Sequence, residues 1–163
     1  MDHYLKKNLK FVSLTEEFHS LIEEAFKKCI ESFYGNQSIA FQKIINGIGR
    51  NCEILFLNDL PIGFIVYKTT LQSEFELKNA FELKTAFLLE EYRNKGLGKA
   101  LFKYAETLAI QRYATYIYTT VSEKLINVVN CMKKDGWVIL KEKKSDDNSV
   151  DVFVMAKELK NES

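Results

Sequence analysis

The sequence predicts an α/β fold: a mixed central sheet of about seven strands flanked by about four helices. Three observations carry that expectation. Runs rich in β-branched and aromatic residues alternate with segments whose apolar residues recur at the helical period, in the order β-α-α-β-β-β-α-β-α-β-β. Two neighbouring pairs of runs are joined by short polar turns, as in antiparallel hairpins. An apolar run ending at Leu89 passes through Arg93-Asn94-Lys95-Gly96-Leu97-Gly98 straight into a strongly helical stretch.

Residues 9–12 read as the first strand. Ser13 or Thr15 then caps a helix whose Phe18, Leu21, Ile22, Ala25, Phe26 and Cys29 keep the 3.6-residue period. Glu16 and Glu17 near its start and Lys27 and Lys28 near its end suit the helix dipole. A shorter helix at 38–46 stops at Gly47, a C-capping residue. Residues 52–57 and 61–68 form a hairpin through Asn58-Asp59-Leu60. The polar stretch 72–79 is a loop, and 81–89 the strand that feeds the glycine turn. A helix at 98–111 buries Leu101, Tyr104, Ala105 and Leu108, and the β-branched run 114–121 is a strand. Ser122 caps a helix carrying Leu125, Ile126, Val129 and Met132, closed by Gly136. Residues 137–143 and 150–156 make a last hairpin around Ser145-Asp146-Asp147-Asn148-Ser149.

Composition narrows the function classes. A chain of 163 residues with 47% apolar residues fits one domain with a sizeable core, taken as residues 1–163. A net charge of +1 argues against a surface that coats nucleic acid. No apolar run approaches the ~18 residues of a membrane span, and the N-terminus lacks a signal-peptide core, so a cytoplasmic location is expected. Cys29, Cys52 and Cys131 are odd in number and far apart, which suits free thiols. With only His3 and His19 besides, and neither near a cysteine, no metal site is expected.

Arg93-x-x-Gly96-x-Gly98 between a strand and a helix has the physics of an anion cradle. Glycines tolerate positive φ and let a ligand approach the backbone, and the first N–H groups of the helix point at whatever sits there. The spacing excludes two common phosphate motifs. A dinucleotide fingerprint needs a third glycine where Leu101 stands, and a P-loop needs a hydroxyl where Ala100 stands.

At these residues, with Glu91-Tyr92-Arg93 before and Lys99-Ala100-Leu101 after, the chain resembles the GNAT superfamily of N-acetyltransferases. The resemblance spans about 9–158, with the specific motifs between 81 and 137. It implies a GNAT-like fold in which the fourth and fifth strands splay apart and acetyl-CoA lies between them. Coenzyme A binding would then fall to the backbone of Ala86, Phe87 and Leu88 for pantetheine. The turn Arg93, Asn94, Lys95, Gly96, Leu97, Gly98 and Lys99 would take the pyrophosphate. Arg93 and Lys95 add side-chain charge there or are simply solvated. Asn127 is a candidate contact to pantetheine or adenine, or an ordinary surface asparagine.

The implied activity is acetyl transfer from acetyl-CoA to a primary amine by direct attack in a ternary complex, with the acceptor unidentified. Glu82 stands eleven residues before Arg93, where the histone-acetylating branch places its general base. It can take the ammonium proton, or merely pair with Lys84 on the same strand face. The tyrosine that many members carry four residues before the helix-ending glycine is Met132 here. Cys131, Tyr118, Ser122 or water would have to protonate the departing thiolate instead. The missing tyrosine keeps a second expectation open, a catalytically silent acetyl-CoA-binding sensor or interaction module. Oligomeric state is left open, with a homodimer as one candidate.

Overall fold

The computed structural model describes residues 8–144 and 150–160; the expected turn at 145–149 and His3 lie outside the described residues. Seven strands form one sheet: β1 (Leu9–Ser13), β2 (Arg50–Leu57), β3 (Leu60–Lys68), β4 (Ala80–Leu88), β5 (Tyr116–Ser122), β6 (Val138–Lys143) and β7 (Val152–Glu158). Their order across the sheet is β1-β2-β3-β4-β5-β7-β6. Every neighbouring pair is antiparallel except β4 with β5. The mixed α/β sheet expected from the sequence is the one found.

Four helices cover the two faces. The first, α1, runs over residues 19–34 and consists of His19–Ala25, a π-helical turn Phe26–Ile30, and Glu31–Tyr34. The others are α2 (Ser38–Ile45), α3 (Leu97–Gln111) and α4 (Ile126–Lys134). On one face α1 and α2 bury Ile22, Phe26 and Ile44 against Ile54, Phe64 and Phe87. On the other, Leu101 and Ala105 of α3 and Val129 and Met132 of α4 pack against Leu55, Ile65 and Ile117. No helix among the described residues is long and apolar enough to cross a membrane.

Three local readings are revised. Thr15 makes no side-chain cap; a 3-10 turn, Glu16–Phe18, enters α1 instead, and the Thr15 hydroxyl bonds the Glu17 carboxylate. Leu60 belongs to β3 rather than to the turn, which is shortened by Asn58 in a left-handed conformation at φ +57°. Ser122 is the buried last residue of β5, and its carbonyl starts the turn into α4 by accepting the Leu125 N–H.

The C-termini of α2, α3 and α4 share one device. In each, a left-handed residue lets two successive N–H groups return to the last turn, from Gly47 and Ile48, Tyr113 and Ala114, and Gly136 and Trp137. Glycine takes that conformation freely. Tyr113 takes it at φ +63° with a side chain 81% exposed, so its strain is repaid by no packing.

Candidate active site

The sheet opens between β4 and β5. A bulge starts the divergence: Val66 faces Thr85 and Tyr67 faces Leu83 across β3 and β4, leaving Lys84 unopposed. A bulge bends its strand and steepens the local twist. On its other edge β4 pairs with β5 over three rungs only, Ala80 with Tyr116, Phe81 with Ile117 and Glu82 with Tyr118. A side-chain bond from Thr119 Oγ1 to the Leu83 carbonyl, 2.6 Å long, marks the start of the split. Beyond it, Ala86, Phe87 and Leu88 pair with β3 alone. Their free edge lines a cleft of about 1000 Å³ whose opposite wall includes residues 118–121.

The exposed edge of β5 is answered from another element. The Tyr34 hydroxyl, at the end of α1, accepts the Ser122 N–H at 3.2 Å and donates to the Thr120 carbonyl at 3.4 Å. Burial raises its pKa, and the Ser122 N–H pulls it partly back. Tyr34 therefore brings a phenol into the split.

At the apex, Glu82 and Tyr118 meet. The Tyr118 Oη lies 3.1 Å from Glu82 Oε1 and 2.8 Å from Glu74 Oε2. One phenolic hydrogen thus serves two carboxylates. Burial first, then the charge of Glu82 and the bond to Glu74, push the Tyr118 phenol well above its ordinary pKa and keep it a neutral donor. Glu82 also receives Gln72 Nε2 at 3.4 Å and Lys84 Nζ at 3.3 Å, and its side chain is 12% exposed. Glu82 pairs with Lys84 and also lines the cleft.

The glycine turn closes the wide end. After the 3-10 turn Glu90–Tyr92, Asn94 and Gly96 are both left-handed, at φ +63° and +83°, and α3 starts at Leu97. Such alternation points successive N–H groups into one concavity. Those of Asn94, Lys95 and Gly96 donate to no group among the described residues. Leu97 is anchored in the core, while a Cβ on Gly98 would meet nothing within 4 Å. Lys95 is exposed, and the exposed Lys99 lies 4.0 Å from Asp135.

The Arg93 side chain does not reach into this concavity. It folds back along β4, where its Nε donates to the Leu88 carbonyl at 2.9 Å and an Nη lies 3.6 Å from Cys29 Sγ. The guanidinium also stacks 5.4 Å from the Phe87 ring centre, tying the end of β4 to the π turn of α1.

Two residues expected from α4 are not part of the cleft lining. Asn127 and Cys131 are exposed and are not among its lining residues, whereas Leu125 and Val128 are. Met132 is buried in the core, 4% exposed. Sequence reasoning missed Tyr34 and Glu74, which reach the cleft from an α1 terminus and a loop, and Gln72, which bonds Glu82.

A family model described as the acetyltransferase (GNAT) family matches residues 16–137. Comparison with curated protein sequences returns no match. Among solved structures, the chain is similar to spermidine N-acetyltransferase from Vibrio cholerae in complex with CoA and spermine. The TM-score is 0.74 at 15% identity, over 94% of this chain and 96% of that one. It is similar to Arabidopsis thaliana NAA60 in complex with a bisubstrate analogue, with TM-score 0.72, 15% identity and coverage of 94% and 99%. A GNAT family acetyltransferase from Elizabethkingia anophelis with acetyl-CoA bound gives TM-score 0.66 at 15% identity, over 93% and 99%. At such identities the likeness is one of fold.

Proposed function

The chain belongs to the acetyltransferase (GNAT) family, and on that premise we propose that it moves the acetyl group of acetyl-CoA to a primary amine by direct attack, with both substrates held in the cleft. The observation that carries this reading is the split between β4 and β5, with Glu82 and Tyr118 at its apex.

The residues present fit acetyl-CoA. Unspent N–H groups on Asn94, Lys95 and Gly96, the start of α3 at Leu97, Gly98 and Lys99, and open space over Gly98 suit a pyrophosphate. The free backbone edge of Ala86, Phe87 and Leu88 suits an amide-bearing arm such as pantetheine. Arg93 supports the site by fixing Leu88 through its side chain, rather than as a charge on the phosphate. When bound, acetyl-CoA supplies an activated acyl carbon.

The chain's own groups then have defined tasks. Glu82 removes a proton from the ammonium, directly or through a water, so that a neutral nitrogen can attack. Lys84 and Gln72 hold its carboxylate in place. Tyr118, kept neutral, holds the only phenolic proton in contact with that carboxylate among the described residues and is the candidate donor to the leaving sulfur. Cys131 and Asn127, exposed on α4, are given no part. The test is release of free thiol from acetyl-CoA against a panel of amines. Amine-dependent release supports the reading. Acetyl-CoA binding with no release for any amine would make the chain a silent binding module.

A further inference from the structure

The cleft is lined by a cation that no group among the described residues answers. Arg50, the first residue of β2, is 8% exposed and lines the cleft. Its Nε is the one buried side-chain nitrogen or oxygen without a hydrogen-bond partner among the described residues. No carboxylate among them lies within ion-pair distance of it. Glu16, which borders a shallow hollow on another side of Arg50, makes no such pair. A guanidinium cannot lose its proton to escape burial. A guanidinium more than nine-tenths buried, with no partner among the described residues, is costly to hold, and an anion entering the cleft would offset that cost.

Its place relative to the apex is set by register. Arg50 pairs with Lys68, and one step earlier on β3 Tyr67 pairs with Leu83, the neighbour of Glu82. Arg50 and Glu82 are thus close to one row of the sheet, two strands apart, a separation of about 10 Å between backbones. Lys43 and Lys68 line the same end of the cleft, while Glu74 and Glu82 line the apex. Lys84 is already committed to Glu82. Arg50, Lys43 and Lys68 come from β2, α2 and β3, and Lys143 and Lys144 line the cleft from the end of β6.

We infer that the acceptor is a compact amine that also carries an anionic group, a carboxylate or a phosphate, held by Arg50 while its amine meets Glu82. This rests on the acetyl-transfer reading above. The planar guanidinium fork matches either oxyanion in two parallel hydrogen bonds. A long polyamine would leave Arg50 unanswered and bring further cations to Lys43 and Lys68.

The experiment measures thiol release by the full chain on matched pairs: L-amino acids against their amides and decarboxylated amines, and phosphoethanolamine against ethanolamine. The anionic member should be favoured at least tenfold in kcat/KM, chiefly through KM, and the series in which this occurs names the oxyanion. Arg50→Gln should bring that ratio near one. Arg50→Lys, which keeps the charge and loses the fork, should retain part of it. Without ligand, Arg50→Gln should melt no lower than the wild type, because it removes an unanswered charge. Preference for neutral or polycationic amines, a ratio unmoved by Arg50→Gln, or a marked fall in melting temperature would each overturn the inference. If no amine releases thiol, the acetyl-transfer reading fails, and the same pairs are scored by thermal shift. A rise with the anionic member in wild type but not in Arg50→Gln upholds the Arg50 site, and no rise overturns it.

Discussion

Replacing Gly98 with valine separates a turn that only joins a strand to a helix from one that holds a phosphate. The structure supplies both halves of the comparison. A Cβ at 98 meets no atom within 4 Å, so the free protein has room for the new side chain. Gly98 sits in the first turn of α3, where glycine is the poorer helix former. Gly98→Ala should stabilise the free protein by up to about 0.5–1 kcal/mol, and Gly98→Val by less. For a domain of this size that is a rise of about 1–4 °C for alanine. In the proposed site that open space receives the pyrophosphate, and the new side chain competes with it. Losing two charge-assisted contacts costs at least about 3 kcal/mol, roughly 150-fold in Kd. Calorimetric titration with acetyl-CoA, paired with a melting curve, reads both numbers. A Gly98→Val protein that melts normally and binds acetyl-CoA like the wild type would refute the cradle.

Glu82→Gln should lower turnover on an amine with little change in acetyl-CoA affinity, and raising the pH should restore part of the rate because more acceptor is then already neutral; unchanged turnover at neutral pH would reduce Glu82 to a partner of Lys84. Met132→Tyr, which would seem to restore a family tyrosine, should instead overpack the core beside Val129 and Trp137. A loss of about 1–3 kcal/mol is expected with no gain in rate, and a faster variant with an unchanged melting temperature would show that position 132 opens on the cleft. Tyr113→Gly should raise stability by about 1 kcal/mol, since it relieves a left-handed backbone and gives up no buried surface; denaturant melts showing a loss would mean that the Tyr113 side chain holds something together.

What the sequence made legible was whatever is encoded locally. Element order followed from periodicity, and the turn at 93–98 from glycines set between an apolar run and a helix. The stripe Leu125, Val129 and Met132 already placed Met132 in the core and Cys131 off the stripe, so the tyrosine comparison should have yielded to the helical period. Arg50 carried a similar signal. In Arg50, Cys52 and Ile54, alternate residues share one strand face, and a cation at the head of an apolar face is an anomaly. Tyr34, Glu74 and Gln72 left no comparable trace. They meet the Glu82–Tyr118 end of the split only because α1 crosses to the edge of β5 and the loop 72–79 folds over Tyr118 and Glu82. The bulge at Lys84 was also illegible, because a one-residue excess exists only relative to the partner strand.

The short seam between β4 and β5 has a consequence for how the molecule holds together. Strands β1 to β4 and strands β5, β7 and β6 are each laced by long antiparallel ladders, whereas β4 and β5 share three rungs and the Thr119–Leu83 and Tyr118–Glu82 side-chain bonds, with Tyr34 reaching β5 from α1. The sheet is poorest in hydrogen bonds along this line although one core backs both sides of it, and a guest lying in the split would act as mortar. Amide hydrogens near the line should therefore exchange faster than those within either ladder, and should slow as acetyl-CoA is added.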